Sequence, residues 1–244
     1  MRFTRNGSFL AVIMLIGLAV PARADDSSEV KEKALDAPHG VKMRVRMEGP
    51  YTADVPLQVV CYFKYTPEGA KRMGGAPVEL DKRLGGVIAS LRERGQFIGE
   101  QLETVLIHPP RDTIKAEALL LVGLGDEAAL SLELMESVGR VSLREAARLG
   151  VRRVAFAPLI RDQGNSKFPT GDVANSVARG VLLAYDTEKR LQKELLAREF
   201  SLDSWNLEAG PTYFDETVAG VQKAIPEAAT AIDGRGDKPL LKAK

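Results

Sequence analysis

Residues 116–122 read Ala-Glu-Ala-Leu-Leu-Leu-Val and run directly into Gly123-Leu124-Gly125-Asp126. An apolar run of this length, closed by glycine, fits a strand covered on both faces. Such strands occur where helices lie above and below a mostly parallel sheet. Outward from it, helix and strand patterns alternate. A helix is expected after the glycine turn, with Leu134, Val138 and Val141 on one stripe and Gly150 as its stop. Val154 to Ile160 (VAFAPLI) reads as a second buried strand. Asp172 is placed to cap a helix carrying Val173, Val177, Val181 and Ala184. Phe200 to Leu207 reads as an edge strand. The last helix carries Phe214, Val218, Val221 and Ile225, and Pro226 is expected to end it.

Toward the N-terminus, Val41 to Met47 alternates apolar and basic residues, as a half-buried strand does. Pro56 to Tyr65 contains the β-branched and aromatic run LQVVCYFKY, and Thr104 to His108 is a short strand closed by Pro109-Pro110. Between them one helix is expected from Val78 to Arg94, with Leu80, Leu84, Val87, Ile88 and Leu91 on a common face. Gly85-Gly86 in its middle costs about 1 kcal/mol per glycine against alanine, which points to another backbone packed close by. These elements define an α/β fold: a three-layer α-β-α domain over residues 41–225 with a mixed, mostly parallel sheet. Residues 25–40 and 226–244 are polar, small or Gly/Pro-broken, and read as flexible ends.

The chain has 244 residues, 45% apolar and 27% charged, with 34 Lys and Arg against 33 Asp and Glu. That profile excludes disordered, collagenous and multi-span membrane classes. A formal charge of +1 argues against nucleic acid held on a broad basic surface. The single cysteine, Cys61, excludes a disulfide framework and a Cys-rich zinc site, and its place in VVCYF suggests a core position. The first 24 residues have the form of a secretory signal. Arg2 and Arg5 precede the uncharged run Phe9 to Val20, and Ala22-Arg23-Ala24 suits cleavage after Ala24. A bilayer span needs about 20 apolar residues, so this run is too short for an anchor. Its removal takes three arginines and turns the formal charge from +1 to −2. The expectation is an exported protein, periplasmic or extracellular, with no membrane association after cleavage.

Gly123, Gly125 and Asp126 form the one candidate ligand site. Glycines between a strand and a helix let backbone N–H groups reach a phosphate. The third glycine of G-x-G-x-x-G is absent, since position 128 is Ala, and a tight strand-to-helix turn explains the pair without any ligand. The loop from Asp162 to Gly171 is the only other glycine-rich stretch near a strand end. His108 and His39 stand apart and supply no metal pair. Neither G-x-S-x-G nor a P-loop occurs. No cofactor, metal ligand or catalytic residue is assigned. Arg235-Gly236-Asp237 spells an adhesion tripeptide and reads as a chance match in a solvated tail.

Leu80-Asp81-Lys82-Arg83-Leu84-Gly85-Gly86, then Gly95-Gln96-Phe97-Ile98-Gly99-Glu100 and Glu103-Thr104, resemble the N-terminal domain of the leucyl aminopeptidase (cytosol aminopeptidase) family. Leu120 to Asp126, Gly150-Val151 with Val154 to Phe156, Val173 to Tyr185, and Val218 to Val221 with Ala224 are similar to later segments of that domain, in order. The resemblance implies a macro-domain-like fold. The family's two-metal catalytic half carries Asn-Thr-Asp-Ala-Glu-Gly-Arg, and the chain is expected to lack it: Thr230 to Arg235 holds no Asp-x-Glu pair. The leading expectation is therefore an exported, non-catalytic interaction or regulatory module with an unidentified protein partner, monomeric by default. Two alternatives stand beside it. One is a macro-type binder of a phosphate or nucleotide-like ligand through Gly123, Gly125 and Asp126. The other is an accessory subunit of a separately encoded aminopeptidase.

Overall fold

The computed structural model describes residue 1 and residues 30–241, so the expected signal segment lies outside the described residues except for Met1. Seven strands form one sheet: β1 (Glu32–Asp36), β2 (Lys42–Arg46), β3 (Leu57–Tyr62), β4 (Thr104–Ile107), β5 (Ala118–Gly123), β6 (Arg153–Ala157) and β7 (Ser204–Glu208). Their order is β1-β2-β7-β6-β3-β5-β4. The five inner strands are parallel, and β1 and β4 close the edges antiparallel. Six helices flank the sheet: α1 (Pro67–Arg72), α2 (Gly75–Arg83), α3 (Val87–Glu93), α4 (Leu132–Leu149), α5 (Thr170–Lys193) and α6 (Phe214–Asp233). This is the expected three-layer α-β-α arrangement with a mixed, mostly parallel sheet.

Alternation along the inner strands sorts the core into two layers. Val59, Cys61, Leu120, Val122 and Trp205 face the large layer made by α4, α5 and α6, where Cys61 is fully buried. Val60, Tyr62, Leu119 and Leu121 face the smaller layer of α2 and α3 with Leu80, Ile88 and Phe97. Ala155 meets neither helical layer. It packs under the connection between β2 and β3, against Ala53 and Val55.

Several elements depart from the sequence reading. The single helix expected over 78–94 is two, because Gly85 and Gly86 hold φ of +70° and +81°. A Cβ at either would meet nothing, so the glycines serve a left-handed turn and not a close packing. Asp81 accepts the Ile88 N–H at 2.7 Å and starts the second helix. The expected edge strand near 200–207 is the central β7, buried along its whole length between β2 and β6. Its alternating polar residues, Asn206 and Glu208, mimic a solvated face. Pro226 lies inside α6, whose apolar stripe continues through buried Ala228 and Ile232 and offsets the lost hydrogen bond. Residues 226–233 are thus helix and not tail. The N-terminal segment 25–40 likewise contains β1, held to β2 by Glu32 against Arg44 and Arg46, each at 3.5 Å. Helix α5 begins after Pro169, so Asp172 sits inside its first turn and makes no side-chain cap; its charge complements the helix dipole there.

The helical layer is held at backbone contact. A Cβ on Gly139 of α4 would lie 2.3 Å from the Val177 carbonyl oxygen of α5, and one on Gly180 of α5 only 2.0 Å from that of Glu136. Gly220 of α6 meets the Gly171 carbonyl of α5 in the same way, at 2.0 Å. Gly180→Ala should therefore destabilise the chain by about 1–3 kcal/mol through overpacking, despite a helix-propensity gain of about 1 kcal/mol. Urea unfolding of the variant against the parent chain measures this, and a stabilised variant would refute the backbone contact.

Candidate functional site

The glycine turn singled out in the sequence is committed to the protein's own hydrogen bonds. Gly123 N–H donates to the Glu103 carbonyl at 2.8 Å, Leu124 to that of Tyr62 at 2.8 Å, and Gly125 to that of Gly99 at 2.9 Å. A Cβ on Gly123 would lie 1.9 Å from the Glu100 carbonyl oxygen, and Gly125 has φ of +69°. The glycines admit the 99–103 segment, whose Glu103 carboxylate accepts the N–H groups of Gly99 and Glu100 at 2.8 and 2.9 Å. Asp126 is exposed beside the turn. His108 is exposed beyond β4.

A cleft opens elsewhere, where the carboxyl ends of β2, β7 and β6 stand side by side. This is the region where open α/β sheets gather ligands. The chain leaving these strands walls a cleft of about 580 Å³. That volume is within the usual range for small-molecule sites, about 300–1,000 Å³. Tyr51 and Tyr213 supply aromatic surface, Arg161, Asp162 and Thr170 line the far side, and Glu48 and Glu208 close the strand ends.

The polar groups at this end are unevenly satisfied. Glu208 is only 8% exposed, and neither carboxylate oxygen makes a hydrogen bond of full geometry, although the Gln58 side chain lies near enough to hold the carboxyl partly down. Its register neighbour Arg46 turns away, to Glu48 at 3.0 Å and Glu32 at 3.5 Å. On the same sheet face the side-chain oxygens of Gln58 and Asn206 and the Nε of Arg44 are also buried without partners, as is the hydroxyl of Thr170 at the start of α5. Ala155 lies between Gln58 and Asn206 in register, too small to separate them. Burial pushes the Glu208 carboxyl well above the usual carboxylate range, and nearby Glu48 adds to this against Gln58 and Arg46. Burial also raises Glu48, opposed by Arg46 and Lys115 and reinforced by Glu32. Asp162 is raised by burial and drawn partly back by backbone N–H groups, including that of Ala76. Three carboxyls biased toward the neutral form around one cleft mark it as a functional-site candidate.

Asp186 shows the opposite balance. Burial pushes it up, but Arg190 at 2.8 Å, Arg235 at 2.6 Å and His39 at 3.0 Å together hold it below the usual value. This cluster ties α5 to the chain after α6. Arg235 is thus tied to the body of the domain although the residue stays exposed, and it bonds the Leu183 carbonyl as well.

A mixed sheet between two helical layers, open at the strand ends, defines an α/β domain of macrodomain type. A mutant macrodomain of Oceanobacillus iheyensis superposes with a TM-score of 0.54 at 10% identity, covering 85% of this chain and 98% of that one. A mutant of tomato leucine aminopeptidase superposes with a TM-score of 0.60 at 20% identity, covering 85% of this chain and 40% of the other. The profile for the cytosol aminopeptidase family, N-terminal domain, matches residues 59–194, more than half of the chain. The chain belongs to that family. A probable cytosol aminopeptidase of Thermosynechococcus vestitus is 27% identical over 136 residues, which is 55% of this chain but 26% of that relative.

Sequence reasoning missed Glu48 and Glu208 because each follows an alternating strand in the position of a solvent-facing residue. The signal that would have exposed them is the burial of β7, which only the strand order reveals. A carboxyl raised in the folded state stabilises the fold most below its unfolded pKa, and that contribution is lost as pH rises through the folded pKa. Glu208→Gln should therefore be more stable than the parent at mildly alkaline pH, by about 1–3 kcal/mol, the scale of an unsatisfied buried group. Melting curves from pH about 5 to about 8 should show the difference growing with pH; a constant offset would contradict the raised carboxyl.

Proposed function

We propose that this chain is an exported, non-catalytic recognition module of the aminopeptidase N-terminal type, and that it binds its ligand in the strand-end cleft. Glu208 carries the binding reading. A carboxyl buried on the cleft floor without its full set of hydrogen bonds is costly to folding, and a ligand that supplies them offsets that cost. The cleft is favoured over the Gly123–Asp126 turn because three successive N–H groups of the turn already donate within the protein. Export is supported by Arg2 and Arg5, the uncharged run Phe9 to Val20, and Ala22-Arg23-Ala24. The non-catalytic reading is supported by the family match falling on the family's N-terminal domain.

Gly210 gives a clean block. It lines the cleft at φ of −68°, and a Cβ there meets nothing, so Gly210→Trp fills the opening without strain. A thermal-shift panel of nucleotides, amino acids, short peptides and small amines tests the site. A ligand at about a hundred times its Kd adds about 2.7 kcal/mol and raises the midpoint. The shift should disappear in Gly210→Trp, and a shift that persists in that variant places binding elsewhere. Purified chain should not hydrolyse an aminoacyl chromogenic substrate with added manganese or zinc. Hydrolysis that a chelator abolishes would overturn the non-catalytic reading.

A further inference from the structure

We infer that the cleft takes a ligand bearing a cationic nitrogen group, an alkyl guanidinium or ammonium, seated against the Glu48 and Glu208 carboxyls on its floor. This rests on the cleft being the binding site. Unsatisfied acceptors outnumber donors at this end of the sheet: both Glu208 oxygens and one of Glu48 on the floor, with the Gln58 and Asn206 oxygens behind them, stand against the Nε groups of Arg44 and Arg46. The protein's own cations do not supply the deficit. Arg46 is divided between Glu48 and Glu32. Arg161 donates to the Phe168 carbonyl at 3.1 Å and lies over the Tyr213 ring at 5.4 Å. An anionic ligand would add charge beside two buried carboxyls, an arrangement that low dielectric penalises.

An organic cation fits better than a bare metal ion. Among the described residues, no three His, Cys, Asp or Glu side chains converge in a metal-holding group. Asp162 packs its carboxyl against Gly75 and takes the Ala76 N–H, which leaves two carboxyls on the floor. A guanidinium presents several N–H donors in a planar fork that matches carboxylate oxygens. Tyr51 and Tyr213 provide aromatic surface for its alkyl stem, Arg83 already lying over the Tyr51 ring at 4.5 Å as Arg161 does over Tyr213.

The charged groups around Glu208 make binding proton-linked. Glu48 and Arg46 face it from β2 and the chain after it, and Gln58 from β3. Glu32 and Lys115 act on it through Glu48, while Asp162 and Arg161 stand across the cleft. The neutral carboxyl loses its O–H proton to solvent as the cation arrives, and the carboxylate so formed accepts the ligand's N–H groups. Up to one proton leaves for each ligand bound.

Calorimetric titration of the purified chain with agmatine, in two buffers of different ionisation enthalpy near neutral pH, tests this. Agmatine should bind with a buffer-dependent heat that reports proton release. Glu208→Gln should weaken it about ten- to a hundredfold and abolish the buffer dependence. His108→Gln, an exposed change outside the cleft, should retain binding and proton release, and a cooperative melt of Glu208→Gln shows that its loss of binding is not misfolding. AMP and propionate should give no heat. N-acetylarginine amide serves as a second arm: comparable binding assigns the site to a basic side chain of a peptide, and binding of agmatine alone assigns it to a free small cation. Agmatine binding unchanged in Glu208→Gln overturns the inference, as does a failure of both cations to bind. If AMP or another anion binds and is lost in Gly210→Trp, the cleft stands as the site and the cation is wrong. If no compound responds to Gly210→Trp, the cleft reading itself falls.

Discussion

Three helices lie so close that their backbones touch, and much of the architecture follows from that contact. Helix α5 sits between α4 and α6, with Gly139 and Gly180 at one seam and Gly171 and Gly220 at the other. Each glycine costs helix propensity, but the close approach lets α5 bury residues on nearly every side. The layer so formed covers the inner strands on one face. On the opposite face only the short α2 and α3 are available, and they reach β3 and β5 but not β7 or β2. The connection from β2 to β3 covers the remainder with Ala53 and Val55. A loop covers less well than a helix, and the strand-end cleft is what it leaves open.

The family signature and the candidate cleft draw on different residues. Asp81 caps α3, Gly85 and Gly86 turn the chain into it, Phe97 is fully buried, and Glu103 gathers the N–H groups of the 99–100 turn. Gly123 and Gly125 make room for that turn. These motif residues build the scaffold. Glu48 and Glu208, which set the chemistry of the cleft floor, lie outside residues 59–194. Likeness within the matched span therefore carries the fold across, while the two floor carboxyls lie outside that span.

Much of the fold was legible because buried strands and amphipathic helices each impose a period on the chain. AEALLLV is apolar but for Glu117 and VAFAPLI is apolar throughout, and the structure places residues 118–122 of the first and 154–157 of the second in the parallel sheet. Misreadings arose where local pattern and tertiary position disagree. Gly85-Gly86 was read as a close-packing pair, when the close packing belongs to Gly139, Gly180 and Gly220, single glycines inside regular helices. Local sequence cannot separate a glycine kept for its φ from one kept for its missing Cβ. Pro226 looked like a terminator because its local cost is certain, whereas the burial of Ile232 that outweighs it is non-local. The cleft was the least legible part. Its floor combines β2 and β7, far apart in sequence and adjacent only through the crossover order.

The two edges of the sheet bear on how the chain behaves when crowded. An unpaired strand edge is a template on which further strands grow, and aggregation begins there. At one side the outer strand is Glu-Lys-Ala-Leu-Asp, with three charges in five residues and almost complete exposure. At the other, Thr104–Ile107 is four residues long and is followed within two residues by a pair of prolines. Charge on one border and brevity with proline on the other each deny an incoming strand a continuous ladder. The antiparallel strands that finish this sheet thus act as guards against fibre formation, leaving the parallel centre free to be as apolar as packing demands.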